Sequence, residues 1–203
     1  MSITTYATLQ TAIGSWLGHS LFTTNIPDFI ALFEAVANRR LRTRWQETSA
    51  SVTMSSGAGS LPADFLAQRR VTWPGSTKVE LEYVEPSWLQ AAYPTNATGT
   101  PQTYTIEGST IYVRPSDDTS LTLLYYAKVA ALSDSATTNW LLTAHPDIYL
   151  FGSLVEAEMF GVNDERMPLW KARRDELFDE IIMLSNKSKV GVGAGIRIMG
   201  AFP

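Results

Sequence analysis

The sequence predicts an α+β fold: a helical body built from both ends of the chain, with a small antiparallel β-sandwich or barrel inserted between them. Two observations predict it. Apolar residues recur at helical spacing near both ends, and the stretch between is rich in Thr, Ser, Tyr and Val and punctuated by Gly and Pro. A third, the glycine-rich apolar segment "KVGVGAGIRIMGAFP", adds an extended C-terminal arm. The expected boundaries are 1–45 and 140–189 for the helical body, 46–139 for the β domain and 190–203 for the arm.

In the first block, Tyr6, Leu9, Ile13, Trp16 and Leu17 recur at helical spacing and Gly18 marks a stop. A connector with Asn25 and Pro27 leads to a second helix. Phe29, Ile30, Phe33, Val36, Ala37 and Leu41 line one face of it, while Glu34, Asn38, Arg39, Arg40, Arg42 and Arg44 point elsewhere. Its basic end suits the helix dipole.

In the middle block, Thr48–Met54 alternates with Val52 and Met54 on one face, and Ser55–Ser60 is rich in turn formers. Val71–Trp73 and Lys78–Tyr83 flank Pro74-Gly75 as a hairpin. Glu85–Gln90 starts a short helix with Pro86 in its first turn. Gln102–Glu107 and Thr110–Val113 flank Gly108-Ser109 as a second hairpin, and Ser120–Lys128 forms a further strand.

The last block returns to helix. From Pro146 to Val162 apolar residues crowd almost every direction (Ile148, Leu150, Phe151, Leu154, Val155, Met159, Phe160), which predicts a central helix closed by Gly161-Val162-Asn163. A final helix from about Asp164 to Asn186 places Leu169, Trp170, Leu177, Phe178, Ile181 and Leu184 on one side. Lys171, Arg173, Arg174, Asp175, Glu176, Asp179 and Glu180 occupy the other.

Composition narrows the functional classes. At 203 residues, 45% apolar and 18% charged, the chain is that of a folded globular protein. No run of about 18 apolar residues could span a bilayer, and Met1–Thr5 lacks the basic flank of a signal peptide. The absence of cysteine rules out disulfides and thiolate metal sites. A net charge of −4 supplies no global basic field for nucleic acid.

Residues able to carry chemistry are sparse. His19 and His145 form no metal-binding pair, and His145 in "TAHPD" suits capping or hydrogen bonding. No G-x-S-x-G elbow occurs. Gly191–Gly195 follows a helix instead of opening one, so it is no phosphate loop. Glu156, Glu158, Asp164, Glu165 and Asp175 suit a solvated face, and Asp117-Asp118 a turn. The expectation is therefore no enzyme, no cofactor and no metal. Most aromatic residues fall at core positions by periodicity, which leaves Trp88 and Tyr93, in the loop-flanked short helix, as the ones to check for a carbohydrate platform.

What remains suits assembly. Arg39, Arg40, Arg42 and Arg44 wrap a helix end, and with Arg173, Arg174, Asp175 and Glu176 they are candidates for contacts between subunits. In the arm the glycines oppose a helix, while Val190, Val192, Ile196, Ile198, Met199 and Phe202 supply apolar surface around Arg197. Such a segment gains order on a partner's sheet edge or groove, the alternatives being a tail folded back on its own domain or one without order.

Four stretches carry a resemblance: "TTYATLQTAIGSWLG", "IPDFIALFEAVANRRLRTRWQETSASVTM", "GSLPADFLAQRRV" leading to "LEYVEPSWL", and "LTLLYYAKVAALSDSATTNWLLTAHPDIYLFGSLVEAEMF". In their order the chain resembles the head–tail adaptor (connector) proteins of tailed bacteriophages. That resemblance implies a structural virion protein at the neck, synthesised in the host cytoplasm, without enzymatic activity or membrane partner. It further implies a dodecameric ring against the portal protein, with tail proteins (a nozzle or next tail component) on the far side. DNA would pass through without sequence-specific binding, and the arm Val190–Pro203 would dock on the portal. The alternative class is a carbohydrate-binding or host-recognition module of a virion.

Overall fold

The computed structural model describes residues 2–18, 24–75, 78–161 and 165–189. They fall into two compact units, one formed by the chain up to Trp45 and from Val129 onward, the other by Gln46–Lys128. The mixed α+β class is as the sequence predicts.

In the first unit, α1 (Tyr6–Leu17) opens on a reciprocal cap. The Thr8 amide donates to Thr5 Oγ1 at 3.3 Å, while the Thr5 amide donates to Thr8 Oγ1 at 2.9 Å. Gly18 closes the helix at φ 74°. Helix α2 (Ile26–Arg40) takes Pro27 and Asp28 into its first turn and Arg39 and Arg40 into its last. Helix α5 (Pro146–Gly161) packs against α1, α2, the short α4 (Trp140–Ala144) and α6 (Met167–Lys189). It is central, as its nearly continuous apolar sequence predicts.

One contact decides how closely α2 and α5 approach. A Cβ at Gly152 would lie 2.0 Å from the Phe33 ring, so only glycine lets that ring settle on the helix backbone. Phe33 also meets Tyr149 edge-on, with ring centroids 5.0 Å apart, and Phe178 at 6.2 Å.

Residues 129–139, expected with the β domain, cluster instead with the helices. Two side chains one turn apart on α2 hold this returning segment. Asn38 Oδ1 accepts from the Val129 amide at 2.8 Å, and Glu34 Oε1 from the Leu132 amide at 2.9 Å. Glu34 also accepts from the Tyr149 hydroxyl at 3.1 Å, so a residue the periodicity points outward is in fact buried. Asn139 then caps α4 by accepting from the Leu142 amide at 2.8 Å.

Among its described residues the second unit holds eight strands: β1 (Glu47–Val52), β2 (Ala58–Ser60), β3 (Phe65–Trp73), β4 (Val79–Glu80), β5 (Glu82–Tyr83), β6 (Thr103–Glu107), β7 (Thr110–Arg114) and β8 (Leu121–Ala127). They form two four-stranded sheets, ordered β1-β8-β3-β4 and β2-β7-β6-β5. Pairing is antiparallel except between β5 and β6. Val52, Val71, Leu121 and Leu123 of one sheet share a core with Tyr104, Ile111 and Val113 of the other, which makes the unit a sandwich.

The predicted strand Lys78–Tyr83 is split. The Leu81 amide bonds to Val71 O in the first sheet, and the next amide, Glu82, bonds to Gln102 O in the second. Buried Leu81 is thus the corner where the chain changes sheets. Helix α3 (Pro86–Ala92) follows at once and packs on β6. The β6–β7 hairpin turns at Gly108, φ 60°, where the sequence places it.

Candidate assembly surface

No group of histidine and carboxylate side chains among the described residues could hold a metal ion. His145 closes α4 through its amide, which donates to Leu141 O at 2.8 Å, so the capping is by its backbone and at the end of α4. Its ring lies edge-on to Trp45, 6.1 Å between centroids, and Trp45 stacks on Trp140 at 6.0 Å. Burial pushes the imidazole pKa down, against the opposing pull of Asp147 and Glu180. This histidine packs an aromatic cluster. His19 lies outside the described residues.

The structure brings part of the predicted charged set together within one chain. Arg40, at the end of α2, pairs with Asp175 of α6 and lies over the Phe178 ring, 4.3 Å from its centroid. Arg174 bonds the same Asp175 oxygen at 3.0 Å and lies 3.9 Å from Glu156 of α5. Burial pushes the Asp175 carboxyl pKa up, but hydrogen bonds from Arg40 and Arg174 outweigh it and hold it below the usual range. Arg174 is buried, whereas the Arg40–Asp175 pair remains about one-third exposed (35% and 38%).

The other members are exposed or partly so. Arg42 donates to Asn38 O at 2.7 Å, covering a carbonyl at the helix end. Arg44 lies over the Trp45 ring at 5.4 Å, and Arg173 pairs with Glu176 at 2.6 Å along the exposed side of α6. Arg39 is exposed, with no ion pair among the described residues. The arm residues Val190, Val192, Ile196, Arg197, Ile198, Met199 and Phe202 lie outside the described residues.

Apolar exposure is where periodicity misleads. Leu169 (69% exposed) and Leu184 (51%) are not on the buried side of α6; Trp170, Leu177, Phe178 and Ile181 alone of that predicted set reach the core. Met159 and Phe160, counted among the core residues of α5, are likewise exposed. Trp16, at the end of α1, and Leu32 of α2 are exposed too. The available sequence signal was that Leu169, Met183 and Leu184 share a helical face with Arg173, Glu176 and Glu180, which solvate it.

In the β unit, Trp88 of α3 is half exposed beside Glu82, Val84 and Glu85, so the residue singled out from sequence does sit in a surface groove. Tyr93 closes α3 and is not among the groove's lining residues.

Two comparisons bear on what these surfaces serve. The family model described as SU10 adaptor protein matches residues 4–196, across both units. Among curated proteins nothing matches.

Proposed function

The chain belongs to the SU10 adaptor protein family, a family of phage head–tail adaptors, and on that premise we propose that it forms a ring joining the portal to the tail and continuing the DNA channel. Membership makes it a structural protein of the phage neck, acting between portal and tail components. The ring, its dodecameric order and the passage of DNA are the finer reading.

The single observation that carries it is the extent of the family match, 4–196 of 203 residues. Physical features support it. A ring closes through head-to-tail contacts, so each subunit must offer two different complementary flanks. The arginine-bearing end of α2, with Arg39, Arg42 and Arg44, supplies one candidate flank. The outward side of α6, where Arg173 and Glu176 lie among Leu169, Met183 and Leu184, supplies the other. The arm, with Ile196, Ile198, Met199 and Phe202 as anchors, docks on the portal. No enzymatic step belongs to this reading.

The test is to mix the full chain with the portal ring encoded beside it and weigh the product by native mass spectrometry. A discrete gain of one adaptor per portal subunit is expected. A portal whose mass stays unchanged at low and at moderate salt overturns the reading.

A further inference from the structure

The β unit carries two surface grooves on either side of the Leu81 corner, one with two cations and a single carboxylate, the other with carboxylates alone. One lies on the outer side of the first sheet, lined by Arg70, Thr72, Pro74, Lys78, Glu80 and Thr122. Strand alternation explains its polarity. Val71 and Leu123 point into the core, so their neighbours Arg70, Thr72 and Thr122 point out. The other groove, beside β5 and α3, is lined by Glu82, Val84, Glu85 and Trp88.

The charges in both grooves are unspent. Arg70, Lys78, Glu80, Glu82 and Glu85 are all exposed, none has an ion-pair partner among the described residues, and Glu80 leaves the first groove with a net positive charge. This differs from the helical unit, where Arg40, Arg174 and Asp175 are paired within the chain. Trp88 is also idle: half exposed, with no ring partner among the described residues. An indole floor rimmed by two carboxylates is the chemistry that receives a flat guanidinium or an ammonium, by cation–π contact on the face and charged hydrogen bonds at the edge. The matching cations sit on the same unit.

We propose that the acidic groove at Trp88 receives the Arg70–Lys78 groove of a second copy of this chain, making the β unit a contact between neighbouring subunits. The proposal rests on the adaptor reading, since only an assembly supplies many copies at fixed spacing. The two grooves use different residues, so a subunit that gives its acidic groove to one neighbour keeps its basic groove for the next. Rim charges of this kind govern association rate and choice of partner.

The chain has no cysteine, which makes cross-linking selective. The full chain carrying Thr72→Cys with Ser87→Cys, beside the two grooves but outside their charges, is treated with a short bismaleimide, alone and after mixing with the portal ring. Covalent multimers are expected on a denaturing gel, absent from a control that pairs Thr72→Cys with Thr48→Cys. In parallel, Glu82→Lys with Glu85→Lys lowers assembly at least tenfold, and adding Arg70→Glu with Lys78→Glu restores it. Normal addition to the portal, with no cross-link and no effect of charge reversal, overturns this contact and leaves the adaptor reading standing. Cross-linked multimers of a chain that never adds to the portal keep the contact and remove the adaptor reading. Neither cross-linking nor portal addition removes both.

Discussion

Glu34 shows what one side chain can do that local pattern does not reveal. It is buried, accepts from the Leu132 amide and the Tyr149 hydroxyl, and so ties the returning chain and α5 to α2. Burial pushes its pKa up, only partly offset by those two hydrogen bonds. For a carboxyl with a raised folded pKa, the stabilising contribution is present below the unfolded value of about 4.3 and is lost as pH rises through the folded pKa. At neutral pH the buried charge is therefore a cost. Glu34→Gln keeps the accepting oxygen and removes the charge, so it should match or exceed the parent in stability at pH 7.5, with the advantage shrinking toward pH 5. Glu34→Ala leaves two buried donors short of an acceptor and should lose about 1–3 kcal/mol. Urea denaturation at both pH values decides it: an E34Q loss as large as that of E34A would show that the charge itself is needed.

At the scale of elements, the α2–α5 contact is set by the absence of a side chain. In a free helix, glycine is about 1 kcal/mol worse than alanine. At Gly152 the sign should reverse, because a Cβ there meets the Phe33 ring at 2.0 Å, and that ring is wedged against Tyr149 and Phe178. Gly152→Ala should lose about 1–3 kcal/mol, in the range of overpacked cores, and Gly152→Ala with Phe33→Leu should recover part of it. Equal melting temperatures for parent and G152A would mean that the helices can move apart freely. The long helices were legible because apolar residues recur in them at helical spacing, with start or stop residues beside some, as with Gly18 after α1 and Pro146 at the head of α5. The short elements were not legible. Strand β2 is three residues held by β7, and β4 and β5 are two residues each, divided by a sheet change at Leu81 that no local propensity encodes. Helix α4 has a clear cap in Asn139, but its five residues run straight into Pro146 and give too little periodicity to register. Leu169 and Leu184 failed for a related reason: spacing says which residues share a helical face, while only tertiary packing says which face is covered.

For the whole molecule, the question is whether the arm belongs to the fold or to the assembly. The first unit's core is built from residues between Tyr6 and Ile181, and the sandwich has its own core between Val52 and Tyr125. Among the described residues, every side chain of both cores precedes Val190. On the proposed reading the arm has its use at a partner, where ordering a glycine-rich segment costs entropy that new apolar contacts must offset. Deleting Val190–Pro203 should therefore leave the thermal unfolding midpoint of the free chain within about 2 °C of the parent, less than the shift expected from losing 1 kcal/mol of stability. Addition to the portal ring should fall at least tenfold. Because the contact is mainly apolar, that loss should persist at high salt, where charged contacts between neighbouring subunits weaken. A truncated chain that melts far below the parent would place the arm in the fold. A truncated chain that adds to the portal as well as the parent would move the attachment to the exposed apolar residues of the helical unit, Leu169 and Met183 first among them.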